Sequence, residues 1–164
     1  MSIVRSGEVY AAWDGVGTLA LGRTEDLDVD DCLAQMLLHE ICHALVMGEG
    51  AEGRVDWGLP AEGDDVQERA TQRLQAALAD QYDVRFLFGV TTDHRGYWDA
   101  LPADPLADSG DLTVVLARAA LERLDAGPWS APVRDALNAT ATIAAAVAGA
   151  AEPGSLWFRQ SGAP

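Results

Sequence analysis

Two histidines and a glutamate in this chain stand where they could act together on one ion. His39-Glu40-Ile41-Cys42-His43 sets two imidazoles four residues apart and puts a carboxylate directly after the first. On a helix, residues i and i+4 share a face one turn apart, so both rings can reach the same cation. Glu40 can then address a water bound to that cation. This H-E-x-x-H spacing is the chemistry of metal-assisted hydrolysis: the histidines hold Zn²⁺ and the glutamate acts as general base. Left unpaired on a largely apolar helix, the three polar side chains would be costly.

The elements needed to position these groups are legible around them. Residues 30–47 carry a helix pattern, with Asp30 or Asp31 as N-cap, apolar residues at Leu33, Met36, Leu37, Leu38, Ile41, Ala44 and Leu45, and Gly48 as the stop. Ahead of it, residues 8–13 and 18–22 read as two strands around the turn Asp14-Gly15-Val16-Gly17. Such a strand could hold an extended peptide along its edge. A second helix is expected from about 64 to 82, with Val66, Ala70, Leu74, Ala77 and Leu78 on its packing side. Its early acids Asp64, Asp65 and Glu68 suit a helix N-terminus.

Residues 84–90 read as a short strand or a buried extended segment, and 91–110 as a polar loop containing His94-Arg95-Gly96-Tyr97-Trp98. Helices at about 110–125 and 132–150 complete the body. The alanine-rich last helix is expected to pack closely through small residues on every face. The tail is expected to be ordered in part through Leu156, Trp157 and Phe158. The expected fold class is α+β and mostly helical, with 1–164 as a single domain.

Composition narrows the functions. The chain has 164 residues and a formal net charge of −15, with eleven basic residues, every one of them arginine. The absence of lysine reflects a GC-rich coding bias and says nothing of function. Binding phosphates needs basic clusters, so nucleic acid and anionic membrane surfaces are poor partners. The apolar run from Ile143 to Ala151 is too short to span a bilayer, and no charged-then-apolar leader opens the sequence. The expectation is a soluble, cytoplasmic protein. Cys32 and Cys42 lie about 15 Å apart along one helix, too far to bridge, and read as free thiols in a reducing compartment. Cys42 is expected to be a small buried hydrophobe, with a redox or ligand role as the rival reading.

A catalytic zinc takes three protein ligands and leaves a position for water. The pattern H-E-x-x-H-x-x-G-x-x-H requires Gly at 46 and His at 49; the chain has Val46 and Glu49, which excludes that class. The motif and its helix instead resemble the gluzincin group of zinc metallopeptidases, similar to thermolysin, in a small form. That resemblance covers about residues 30–80 and implies a third ligand, a Glu, on the following helix. Glu68, 25 residues after His43, fits, and the small Ala70 beside it would let two helices approach. Asp64, Asp65 and His94 remain rival ligands.

The resemblance implies a zincin-like fold: a short N-terminal sheet on the His39–His43 helix, followed by the Glu68 helix. It also implies peptide-bond hydrolysis with Glu40 as base. Small bacterial peptidases that cleave phage or stress-response repressors are similar, which implies a peptide or dedicated protein substrate. One departure bears on the ligands' support. The family's Asp four residues after the ligand Glu, which braces a zinc-bound His, is Gln72 here. The bracing then falls to another group, such as Asp64, Asp65 or a carbonyl. Tyr97, His94 and Arg95 are the candidates by type for an oxyanion donor. The competing reading is an inactive, zinc-stabilised binding or regulatory module, its fourth position blocked by Cys42 or His94.

Overall fold

A computed structural model of the chain describes residues 1–27, 31–59, 65–89, 94–107, 110–155 and 157–158. Among the described residues, three short strands, β1 (Ser2–Ser6), β2 (Ala11–Trp13) and β3 (Thr18–Gly22), precede five α-helices. These are α1 (Leu33–Met47), α2 (Asp65–Asp80), α3 (Arg95–Asp99), α4 (Leu112–Ala126) and α5 (Ser130–Val147). The architecture is α+β and mostly helical, as expected. No helix among the described residues is long and apolar enough to cross a membrane.

The expected hairpin is present. β2 pairs antiparallel with β3, with Ala12 opposite Ala20. The turn is closed by Asp14, whose Oδ1 accepts the main-chain N–H groups of Val16, Gly17 and Thr18 at 2.8, 2.8 and 2.9 Å. The first strand is shorter than expected, beginning at Ala11, and sequence reading missed β1, which pairs parallel to β3 on its other side. β1 offers no alternating pattern: Ile3 and Val4 are both exposed. At the β2 edge, the main-chain N–H of Trp13 donates to Asp56 Oδ1 at 3.1 Å. The segment after α1 therefore occupies that edge at Trp13.

α1 runs uninterrupted because its fifteen residues include neither Gly nor Pro. Its N-cap is Cys32, whose Sγ accepts from the Gln35 N–H at 3.4 Å. The expected caps were Asp30, which lies outside the described residues, and Asp31, one residue too early. A thiol is an unusual cap, which is why the aspartates looked better. Gly48, at φ +79°, ends the helix as expected. Arg123 of α4 donates to the last carbonyls, Leu45 O at 2.8 Å and Val46 O at 3.2 Å.

Three faces of α1 have three different environments. Leu38, Cys42 and Leu45 join a core with Ala70, Leu74 and Leu78 of α2 and Ala117, Ala120 and Leu124 of α4. Met36 and Ala44 join a second cluster beneath the sheet with Trp13, Leu19, Leu21, Ala51 and Trp57. The third face, with His39 and His43, turns to α2. That helix packs between α1 and α4, with Ala70, Leu74, Ala77 and Leu78 buried as expected and Val66 half-buried.

Elsewhere the expectations need correction. Residues 85–87 form a 3₁₀ turn rather than a strand, anchored by buried Val84, Leu87 and Phe88. The loop 91–110 contains α3, with Trp98 buried; residues 91–93 lie outside the described residues. α5 does not pack on every face: only Val133, Leu137 and Ala144 are buried, and Ile143 is 55% exposed. Small residues permit close approach, but alanine buries too little apolar area to drive it. A single stripe with larger side chains docks the helix. Of the tail, Trp157 is exposed and Phe158 half-buried; Leu156 lies outside the described residues.

Candidate metal centre

His39 and His43 lie one turn apart on α1, and α2 brings Glu68 against both. The three form the group of potential ligands found among the described residues. His39 Nε2 and His43 Nε2 are 3.0 Å apart. Glu68 sets Oε1 3.5 Å from His39 Nε2 and Oε2 3.2 Å from His43 Nε2. A tetrahedral ion with bonds of 2.0–2.1 Å needs donors separated by about 3.3–3.4 Å. The imidazole nitrogens are slightly closer than this, and Glu68 meets each ring with a different oxygen, so the three residues converge on one point with ligand atoms within 4.8 Å of one another.

Hydrogen bonds behind the rings decide which nitrogens face inward. Gln75 donates its amide N–H to the Phe88 carbonyl at 2.6 Å, so its oxygen must be the atom facing His39. His39 Nδ1–H donates to that oxygen at 2.8 Å. The His39 Nε2 lone pair is therefore presented to the centre. His43 Nδ1 lies 3.2 Å from the Thr71 hydroxyl, which can accept from an Nδ1–H or donate to a bare Nδ1 and so is compatible with the same tautomer. Gln72 donates to Glu68 Oε1 at 2.9 Å. Two nitrogen lone pairs at 3.0 Å repel unless a proton or a cation lies between them, and Glu68 adds negative charge at the same point. The donor set fits a divalent metal of intermediate hardness such as zinc.

The electrostatics favour the ligating forms. Burial, reinforced by the neighbouring His43, pushes the pKa of His39 below its ordinary value and keeps the ring neutral. Burial alone would raise the pKa of Glu68. The hydrogen bond with His43, the positive charge of protonated imidazoles and Gln72 outweigh it and hold the carboxyl well below the usual range; with neutral imidazoles, a bound cation would supply that charge instead. A neutral imidazole and an ionised carboxylate are what a metal ion requires.

Glu40 stands apart from this triangle. One residue on from His39 is about 100° round the helix, which turns Glu40 toward the sheet-side cluster. It is buried there, and Oε2 accepts the indole N–H of Trp57 at 2.8 Å. Trp57 is 1% exposed and stacks on Trp13 with ring centroids 4.2 Å apart and planes 6° from parallel. Trp13 in turn donates its indole N–H to the Glu52 carbonyl at 2.9 Å. Trp129 closes the cluster edge-on to Trp57, at 6.4 Å.

Of the rival ligands, Asp65 is exposed and pairs with Arg69 at 3.3 Å, Asp64 lies outside the described residues, and His94 precedes α3 outside the ligand group. The role expected of Asp65 or a carbonyl as brace falls instead to Gln75 and Thr71. Cys42 lies in the apolar core, where burial pushes its thiol pKa up and removes it from ligand chemistry. Both cysteines are free. The Tyr97 ring lies over the guanidinium groups of Arg69 and Arg73, and its hydroxyl is buried without a hydrogen-bond partner. Arg95 pairs with Asp99 at 2.9 Å.

Sequence reading missed Thr71, Gln75 and Trp57. A signal existed for the first two. Thr71, Gln72 and Gln75 fall three, four and seven residues after Glu68, the spacing of one helix face, and polar residues on a face directed at a partner helix need partners. Trp57 had no such signal, because an irregular turn carries it. In comparisons with known protein families, curated proteins and solved structures, the chain matches none.

Proposed function

We propose that the chain is a zinc-dependent metallopeptidase that hydrolyses peptide bonds, with a peptide or a dedicated protein as substrate. One observation carries the reading: His39, His43 and Glu68 bring their ligand atoms within 4.8 Å of one another, while the adjacent buried Glu40 is kept out of that group. His39, His43 and Glu68 would hold the ion. When bound, zinc supplies Lewis acidity, acidifying a water and polarising a carbonyl.

The remaining work belongs to the protein's own groups. Gln75 fixes the His39 tautomer, Thr71 holds the His43 ring by its Nδ1, and Gln72 orients Glu68. Glu40 accepts a proton from the attacking water and delivers it to the leaving amine, as base and then acid. Tyr97 is proposed as the oxyanion donor, since a buried O–H without an acceptor has a proton to offer. The charge of −15 supports a substrate that is not a nucleic acid and a site of action away from anionic membranes. Free thiols at Cys32 and Cys42 support a cytoplasmic location.

The test compares zinc-loaded wild type with Glu40→Gln on casein and on a mixture of internally quenched peptides. Wild type cleaves; the variant keeps its zinc and loses roughly 10²–10⁴-fold in turnover, the usual worth of a general base. Equal turnover would refute the assignment of Glu40. Zinc retention by both proteins with cleavage by neither would favour the inactive, zinc-pinned module instead.

A further inference from the structure

We propose that Trp57 is a positioning residue for Glu40: its indole N–H holds Oε2 and so fixes the orientation of the carboxylate. This rests on the metallopeptidase reading, but the contact is tested separately from it.

The backbone that delivers Trp57 is the argument's first support. Asp56 and Trp57 have φ of +47° and +59°, followed by Gly58 at +82°. A left-handed conformation is natural for glycine and tolerable for aspartate, but for tryptophan it is a true outlier. Such strain persists only where surrounding contacts over-determine it, and an observed outlier is a legitimate pointer to function. The contacts are present. Trp13 N–H holds Asp56, Trp13 N–H ε1 holds Glu52, and the parallel Trp13 ring fixes the plane of Trp57. The consequence of this bracing is one buried hydrogen bond, aimed at the one acid in the H-E-x-x-H motif that is not a ligand.

The second support is the chemistry of the acceptor. A buried carboxylate that swings between rotamers presents either oxygen in any direction. The bond to Oε2 at 2.8 Å selects one orientation of the carboxylate and leaves Oε1 as its oxygen without that bond. The indole N–H is a donor with no acceptor capacity, so it cannot compete for the proton in transit. Trp57 is absent from the ligand set, so its role is separable from metal binding.

The experiment uses the full chain with ¹⁵N-labelled tryptophan, in wild type, Trp57→Phe and Glu40→Gln. Trp57→Phe keeps an aromatic ring against Trp13 while removing the donor together with part of the indole's volume; the indole signal it loses assigns Trp57. The proposal expects that signal to lie downfield of the other four indoles in wild type and to move upfield in Glu40→Gln, where the acceptor loses its charge. It expects Trp57→Phe to bind one zinc per chain, as wild type does, and to cut casein at least about 10-fold more slowly, with the loss in kcat and not in KM. A Trp57 signal indifferent to Glu40→Gln overturns the contact. Wild-type kcat in Trp57→Phe overturns the positioning role. If wild type itself cuts nothing, the peptidase reading fails, and the indole shift alone upholds or overturns the hold on Glu40.

Discussion

The proposed ligands His39 and His43 and the proposed base Glu40 are neighbours in sequence, yet the molecule supports them by opposite means. His39, His43 and Glu68 are held from a regular helix, α2, whose Thr71, Gln72 and Gln75 supply one hydrogen bond to each ligand. Glu40 is held from an irregular turn, through a tryptophan in a left-handed conformation locked by a second tryptophan. The difference follows from helix geometry. The two imidazoles face α2, whereas Glu40, about 100° further round, faces the sheet-side cluster and the turn that carries Trp57. A helix face can be supplied by periodic substitution, but a single carboxylate pointing elsewhere needs a purpose-built contact.

The separation of the two supports can be broken from the turn's side first. Trp13→Ala removes the ring that stacks on Trp57 and the N–H that holds Glu52. Truncating a buried tryptophan typically costs about 3–5 kcal/mol. Urea unfolding should show that loss. Among the molecules still folded, zinc stoichiometry should stay at one, because α2 is untouched. Loss of zinc from folded Trp13→Ala protein would show that the two supports are a single unit.

From the helix side, Gln75→Ala strands both the His39 Nδ1–H and the Phe88 carbonyl. Removing a hydrogen-bond partner behind a metal ligand usually weakens metal binding by about 10–100-fold. Leaving buried polar groups unpaired costs about 1–3 kcal/mol of stability. Competition with a calibrated chelator measures the first, and denaturant unfolding the second. The Trp57 indole signal should not move. If it does, the histidine side and the glutamate side communicate.

The smallest effect is electrostatic. Asp14 is exposed, but three main-chain N–H groups of the β2–β3 turn lower its pKa from 3.8 to about 2. A carboxylate depressed in the folded state adds stability above its unfolded value and loses it as pH falls through the folded one. The contribution is therefore complete above about pH 4 and gone near pH 2. Asp14→Ala should flatten the stability profile in that window alone, as read by acid titration at low denaturant.

This contrast also explains what the sequence made legible. The histidine pair follows helical spacing and α2 an apolar stripe, so both could be read from the order of residues, whereas Glu68 came from a family resemblance that left Asp64, Asp65 and His94 as rivals. Even there the capping thiol of Cys32 was passed over for Asp30 and Asp31, because propensities rank carboxylates above sulfur. The turn side has no period. Nothing in Arg54-Val55-Asp56-Trp57-Gly58 announces two non-glycine residues at positive φ, since their conformation is imposed by Trp13, some forty positions earlier. The same lack of pattern hid β1, whose partner lies across the hairpin. α5 erred the other way: its alanines promised close contact on all sides, while burial followed the few larger side chains.

The central claim is that His39, His43 and Glu68 bind one zinc ion. Its most direct test is metal content after zinc loading and exhaustive dialysis, in wild type beside His43→Ala and Glu68→Ala. One zinc per wild-type chain, with binding weakened in both variants beyond the roughly 100-fold ceiling usual for an outer-shell change, is the expected result. A wild-type protein that retains no zinc, or a Glu68→Ala variant that retains it fully, would contradict it.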